Sequence, residues 1–363
     1  MLAEVTHVAI KQGRIDVHHH VIPPAFVATM QSKGIEKVAG ALLPKWTPEK
    51  SIAVMDANGI QTAITSLSAP GVHFGDGAAQ AVDLARRCNE FSAGMVEQYP
   101  GRFGFFAVLP MPFTAQACSE AIYALDVLKA DGVVLLGSTD GHFLGDPLFD
   151  ELMSELDRRR AVVFVHPNLH ETSVNIGLNM PGFLIEFLCD TTRAAINLIL
   201  TGTQEKYPNT RWILAHAGGF LPFVAGRLNT VNIPGLEQHA PQGLKHYIER
   251  FYFDTALSPS RYSMVALKEL VEPSHILFGS DFPFAPAPAS ALQCHTLDES
   301  DLFPESVKYG IARGHALELF PQYRHSDEVV AALPIYESES LAGRLRRAIT
   351  GPMSSMVESM RNR

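Results

Sequence analysis

Histidines and one aspartate stand at the ends of short apolar runs that lie far apart in the chain. These residues are His18, His20, His166, His216 and Asp281. Imidazole nitrogens and carboxylate oxygens are ligands of Zn²⁺, and Mn²⁺ or Fe²⁺ accept nearly the same set. The pattern therefore predicts one divalent-metal site, with zinc favoured over manganese or iron.

The spacing in the first run predicts which of its histidines face the metal. Side chains alternate between the two faces of a strand, so His18 and His20 share one face with Asp16, and His19 points to the other. We expect His18 and His20 to bind the same ion. Asp16 is expected to accept a hydrogen bond from an imidazole N–H, and His19 is expected to be structural.

Five candidate ligands exceed the needs of a catalytic zinc site, which has three protein ligands and keeps one position open. We expect His18, His20, His166 and Asp281 to hold the ion and His216 to act as an acid or base. Asp281 follows an apolar run, where burying a carboxylate without a partner would be costly. His216 as a further ligand remains the alternative.

Eight β-branched or aromatic runs must position these residues, with helix-like segments at 78–99, 114–130 and 147–160 between some of them. Alternating strands and helices favour parallel pairing, and eight strands favour closure into a (β/α)₈ TIM barrel, an α/β fold whose active sites lie at the C-terminal face. An open doubly wound sheet is the alternative, but no Gly-x-Gly-x-x-Gly follows an early strand. The predicted strands are 14–20, 60–68, 103–110, 132–138, 161–167, 211–217, 251–256 and 276–282.

Length and composition bound the class of protein. A chain of 363 residues with a barrel over residues 1–323 leaves a small proline-rich insertion at about 21–50 and a C-terminal helical extension, 324–363. That extension is either a surface helix or an arm that embraces a second subunit.

The net charge of −9, without a basic block, argues against nucleic acid as a partner. Four scattered cysteines, no signal peptide and no membrane-length apolar run favour a cytoplasmic protein that contacts no membrane.

The motifs together resemble the amidohydrolase superfamily. They are Asp16-x-His18-x-His20, His166-Pro167, His216-Ala-Gly-Gly and Gly279-Ser-Asp281-Phe-Pro. The run 216–227, His-Ala-Gly-Gly-Phe-Leu-Pro-Phe-x-x-Gly-Arg, is similar to the subgroup of aminocarboxymuconate-semialdehyde and resorcylate decarboxylases. The segment 46–71 is similar to 6-methylsalicylate decarboxylases.

This resemblance implies roles for individual residues. The residues that match His18, His20, His166 and Asp281 hold one metal in that subgroup, and the match to His216 is the acid or base. The arginine matching Arg227 contacts a substrate carboxylate, in some members from the neighbouring subunit. A homodimer or a higher homo-oligomer is expected. Binuclear relatives carry a bridging lysine on the fourth strand, and none occurs in 132–138 here.

The expected reaction is metal-dependent, non-oxidative decarboxylation of a small aromatic acid. Protonation of the ring carbon that bears the carboxylate, by Asp281 or His216, makes the bond to CO₂ labile. Trp46, Phe282 and Phe284 are expected to supply an apolar wall for the ring, and Arg227 to bind its acidic group.

Two other functions fit the same residues. A mononuclear hydrolase of this fold would cleave a lactone or an amide, with a metal-activated water as nucleophile and Asp281 as base. A silent binding protein would use the histidines only to hold a structural metal, in a closed site with no exchangeable position.

Overall fold

A computed structural model describes residues 13–176, 179–230 and 235–325 of the chain. Within these residues, eight parallel strands form one sheet. Their order across the sheet is the same as their order along the chain. All eight correspond to predicted strands. They are β1 (Arg14–His20), β4 (Ile60–Ser66), β5 (Phe103–Val108), β6 (Gly132–Leu136), β9 (Val162–His166), β10 (Arg211–Leu214), β11 (Tyr252–Asp254) and β12 (Ile276–Leu277). The strands β7 (Ser138–Thr139) and β8 (His142–Phe143) form a small hairpin outside this sheet, and β2 (Lys37–Val38) and β3 (Ala41–Leu42) form another.

Backbone hydrogen bonds between the first and last strands close the sheet. The Val17 N–H donates to the Phe278 carbonyl at 3.0 Å, and the His20 N–H donates to the Phe282 carbonyl at 2.7 Å. The sheet is thus a barrel, and the predicted (β/α)₈ architecture is confirmed. Because all strands are parallel, the ends of β1, β9, β10 and β12 lie at one mouth.

Helices cover the outside of the barrel, and the three helix predictions between early strands are confirmed to within a few residues. In α3, for example, Ala81, Ala85 and Cys88 are buried at helical spacing. The main helices are α2 (Pro48–Ala57), α3 (Ala78–Gln98), α4 (Thr114–Asp126), α5 (Asp150–Arg158), α6 (Glu186–Leu200), α8 (Leu221–Thr230), α11 (Arg261–Leu270) and α12 (Ala287–Asp298). None of the helices within the described ranges is long and apolar enough to cross a membrane.

The segment predicted as an insertion, 21–50, contains α1 (Pro24–Ser32) and a small hairpin of β2 (Lys37–Val38) and β3 (Ala41–Leu42). Phe26 and Met30 anchor α1, since both are fully buried. Val38 of the hairpin is buried beside the barrel mouth. The predicted C-terminal extension lies outside the described residues, apart from Arg324 and His325.

Aromatic rings fill the barrel below its mouth. Phe106 and Phe164 stack with ring centroids 5.4 Å apart, and Phe164 meets the ring of His18 edge-on at 4.9 Å. Both phenylalanines are almost completely buried. They form an apolar floor beneath the histidines, so any ligand must enter from the mouth above.

Candidate metal centre

Four of the predicted ligands meet at the barrel mouth. Donor atoms of His18, His20, His166 and Asp281 all lie within 4.8 Å of one another, and all four side chains are buried. They come from β1, from β9 and from the turn after β12, strands that are separated by more than a hundred residues of sequence. The convergence expected from the strand ends is therefore present in the structure.

The tautomers of these histidines follow from what their Nδ1 atoms contact. Nδ1 of His18 lies 2.7 Å from a carboxylate oxygen of Asp254, that of His20 lies 3.1 Å from the Ser66 carbonyl, and that of His166 lies 2.8 Å from the Pro167 carbonyl. Carbonyl and carboxylate oxygens only accept, so each Nδ1 carries the proton. In the neutral imidazoles, every Nε2 therefore presents a lone pair to the shared space.

Lone pairs that face one another need a positive centre between them. Nε2 of His18 and Nε2 of His20 are 3.1 Å apart, and Oδ1 of Asp281 lies 3.4 Å and 3.0 Å from them, respectively. Ligands placed 2.0–2.1 Å from one four-coordinate ion are separated by about 3.3 Å. The donor set and its spacing therefore fit a divalent cation.

The electrostatics of the cluster also favour a cation. Burial alone would lower the pKa of His18, but the charges and hydrogen bonds of Asp254 and Asp281 raise it to about 10. Burial lowers the pKa of His20 and, more strongly, that of His166. A proton on His18 would satisfy only its near neighbours, whereas a divalent ion satisfies every inward lone pair.

Asp281 is held ionised by the same cluster. Burial alone would raise its pKa, but the adjacent imidazoles of His18 and His20 hold that pKa well below the usual range of an aspartate. Its backbone φ of 59° lies in the left-handed region, which costs a residue with a Cβ about 1 kcal/mol or more. The backbone N–H of Asp281 donates to the His18 carbonyl at 2.7 Å, so the strained turn is tied to β1.

Asp254 is a functional residue that the sequence analysis missed. Its two carboxylate oxygens accept from different partners, Nδ1 of His18 at 2.7 Å and the backbone N–H of His216 at 2.9 Å. It thereby orients a predicted ligand and the predicted acid–base residue together. A signal is present, because Asp254 follows three aromatic residues in the predicted strand 251–256, much as Asp281 follows an apolar run in the strand 276–282.

His216 lies beside the cluster but outside the four-residue donor set. Its ring centroid is 4.8 Å from that of His18, and its Nδ1 lies 3.1 Å from the Ala256 carbonyl, which leaves Nε2 as the remaining titratable atom. Burial lowers its pKa. His216 and Ala217 both have φ of 55°, and the turn continues through Gly218 and Gly219, which adopt such angles without strain.

Asp16 does not bond a ligand imidazole. It accepts from Nδ1 of His19 at 3.0 Å and from the Ser280 hydroxyl at 2.5 Å. A register shift between Asp16 and His19 in the pairing of β1 with β4 interrupts the regular alternation of the strand. Asp16 therefore ties β1 to the turn that carries Asp281, from behind the cluster.

The structure does not bring Trp46, Phe282 or Arg227 of this chain to the cavity beside the donor set. The Trp46 indole N–H donates to the Ser51 hydroxyl at 2.8 Å, and Phe282 packs against His19 at 5.2 Å. Arg227 is exposed on α8. Their predicted roles toward a substrate stay predictions.

A mainly apolar cavity of about 280 Å³ opens beside the donor set. His166, His216 and Asp281 line one part of it, and Phe284, one of the residues expected to form an apolar wall, packs edge-on against His20 at 5.2 Å. The segment before and at the start of α6 contributes most of the apolar wall, and no sequence pattern had marked it. The other lining residues are Val38, Ala41, Ser68, Phe183, Leu184, Phe187, Leu188, Leu257, Ser258, Ala285, Pro286 and Ala289.

Comparison with known proteins extends the resemblance over nearly the whole barrel. The model of a family described as amidohydrolase matches residues 15–322. Decarboxylase macB of Penicillium terrestre is 39% identical over 330 residues, which cover 87% of this chain and 97% of that protein. The 6-methylsalicylic acid decarboxylase acuB of Aspergillus aculeatus is 36% identical, over 86% of this chain and 98% of its own length. A crystal structure of an amidohydrolase II superimposes with a TM-score of 0.81 at 32% identity, over 85% of this chain and all of that one.

Proposed function

We propose that this chain, which belongs to the amidohydrolase family, is a non-oxidative decarboxylase of small aromatic acids of the hydroxybenzoate and 6-methylsalicylate type. The observation that carries the proposal is the cavity. It is small, mostly apolar and open to His166, His216 and Asp281, which suits one aromatic ring that presents its carboxylate to a metal. Similarity to a 6-methylsalicylic acid decarboxylase over almost its full length supports the same reaction.

His18, His20, His166 and Asp281 would hold one ion, and we propose Zn²⁺, with Mn²⁺ or Fe²⁺ as alternatives. A bound divalent ion would neutralise the substrate carboxylate and a neighbouring ring oxygen. Asp254 keeps the Nε2 lone pair of His18 directed at that position. The aromatic floor below His18 excludes water from this side of the site.

His216 is proposed as the proton donor, because it lines the cavity and stands outside the donor set. Its imidazolium gives the Nε2 proton to the ring carbon that bears the carboxylate. The bond from that carbon to CO₂ then breaks, and its electron pair returns to the ring and restores aromaticity. The Ala256 carbonyl holds the imidazole in place during the transfer, and Asp254 holds the backbone of His216. Asp281 takes part as a ligand.

A homodimer is proposed, in which Arg227 acts on the substrate of the partner. In support, α8 and α11 pack together and expose large apolar side chains, with Phe223 87% and Tyr262 90% exposed. Arg227 is one helical turn from Phe223 on α8.

Sedimentation tests the dimer. Mixing R227A with H216A subunits should restore part of the activity if Arg227 acts across the interface, and should restore none if it acts within its own subunit.

A reducing, cytoplasmic setting is also proposed. All four cysteines are unpaired, and burial raises the pKa of Cys88 and of Cys294 to about 12, so these thiols stay protonated and unreactive. Cell fractionation with an antibody to the chain tests this location.

The central experiment is incubation of the metal-loaded protein with 6-methylsalicylate and salicylate in D₂O. Release of CO₂, with one deuterium at the carbon that lost the carboxylate, is the expected result. The H216A protein with its metal retained is the control. Hydrolysis of aryl lactones or amides without CO₂ release from any of these acids would instead establish the hydrolase.

A further inference from the structure

Ser68 contributes a polar side chain to the cavity wall from a residue that is otherwise buried. Its side chain lines the cavity and the residue is only 4% exposed. Its hydroxyl has no hydrogen-bond partner among the described residues and remains accessible from the cavity. A ligand that displaces solvent from this hydroxyl is expected to replace the hydrogen bond that solvent would make.

The backbone around Ser68 is fixed relative to the donor set. Ser68 follows β4, and the carbonyl of Ser66, two residues earlier, accepts from Nδ1 of His20 at 3.1 Å. The Gly71 N–H donates to the Ser68 carbonyl at 3.1 Å, which holds the turn. The hydroxyl is therefore presented from a rigid strand end and not from a mobile loop.

Ser68 and His216 lie on opposite sides of the mouth. β4 is the second barrel strand and β10 the sixth, so half of the eight-stranded circumference separates them. A ring that presents one carbon to His216 would direct its other substituents toward the β4 side. Between these two residues the cavity wall is predominantly aliphatic and aromatic, with few groups that could satisfy an oxygen on the ring.

We propose that Ser68 is a specificity-determining residue that hydrogen-bonds a ring hydroxyl of the substrate. The inference deepens the proposed function and rests on it. A serine hydroxyl can donate to a phenolate or accept from a phenol, so it serves the ring oxygen in either protonation state. An acid without that hydroxyl leaves the serine unpaired and loses affinity, which selects hydroxylated rings.

The test compares binding of benzoate and of the 2-, 3- and 4-hydroxybenzoates to metal-loaded H216A and H216A/S68A proteins, in which turnover does not interfere. We expect S68A to weaken binding about five- to tenfold for at least one hydroxybenzoate isomer and to leave benzoate unchanged. Ser92 is the matched control, since it is also 4% exposed but bonds the Cys88 carbonyl on α3, outside the cavity. S92A should leave all four affinities unchanged.

Two outcomes overturn the inference. Equal weakening of benzoate and hydroxybenzoates would show that S68A only disturbs the site, and metal analysis of the same samples would show whether the ion is also lost. Unchanged binding of every isomer would show that Ser68 makes no ligand bond. Failure of the proposed function is separate, because it would appear as wild-type protein that binds these acids but releases no CO₂.

Discussion

Two buried histidine–carboxylate pairs lie back to back on β1, and only one of them belongs to the metal centre. Nδ1 of His18 lies 2.7 Å from Asp254, and Nδ1 of His19 lies 3.0 Å from Asp16. All four side chains are fully buried. Residue type, burial and the carboxylate partner are thus the same in the two pairs.

The difference lies at the other ring nitrogen. Nε2 of His19 lies 2.8 Å from the Ser51 hydroxyl, which can donate its proton to the imidazole while it accepts from the Trp46 indole N–H. Nε2 of His18 instead faces Nε2 of His20 and a carboxylate. The protein satisfies one lone pair and leaves the other for an ion. An inward lone pair without a protein donor therefore marks the metal centre better than the histidine itself does.

The largest effect is expected from removing the carboxylate of the metal centre. D281A should lose the ion and lower kcat by at least about 10⁴-fold, more than one acid–base group alone contributes. Metal analysis by mass spectrometry and CO₂ release measure the two losses on the same sample. Activity retained in D281A would remove this residue from the mechanism.

Replacing His216, which lies beside the donor set, should impair catalysis without impairing metal binding. H216A should lower kcat by about 10²–10⁴-fold while the metal content stays close to that of the wild type. If metal and activity fall in proportion, His216 is a ligand and its assignment as proton donor is wrong.

The two carboxylates behind the histidines should respond differently. D254N keeps the shape of the side chain but removes the charge that orients His18, and it should weaken metal affinity about 10- to 100-fold. D16N, the matched change in the other pair, should lower the free energy of unfolding and leave metal affinity nearly unchanged. Equal loss of metal in both variants would contradict the distinction between the pairs.

The smallest effect is expected from replacing Ser51, whose hydroxyl hydrogen-bonds Nε2 of His19. S51A leaves Nε2 of His19 and the Trp46 N–H without their shared partner, and it should cost about 1–3 kcal/mol of stability. Denaturant unfolding measures this cost, and metal titration of the same variant should match the wild type. A metal defect in S51A would mean that the two regions are coupled through β1.

Much of the fold and the donor set could be predicted because each depends on local patterns. The eight barrel strands were visible as apolar runs, and parallel strands in a barrel bring their ends to one mouth whatever the loops do. That rule alone placed His166 of the fifth barrel strand beside Asp281 after the eighth. Asp254 obeys the same rule, but no histidine accompanies it on its strand to mark it as part of a metal site.

The contacts of single side chains could not be predicted in this way. Trp46 is predicted to contact the substrate, but its indole N–H donates a hydrogen bond to Ser51, three residues beyond the proline that begins α2. The apolar wall from Phe183 to Leu188 lies before and at the start of α6, outside every predicted strand and helix, so no sequence rule directed it to the mouth.

By itself, the sequence determined the barrel and the residues that could hold an ion. Each strand is predicted from its own apolar run, and the order of strands and helices along the chain predicts how they assemble. Only the tertiary structure decided which imidazole nitrogen faces inward, which carboxylate supports it, and that Ser68 lines the cavity. These features depend on atoms that meet across the barrel at hydrogen-bond distance. A shift of about 1 Å changes such partners without altering any pattern along the chain.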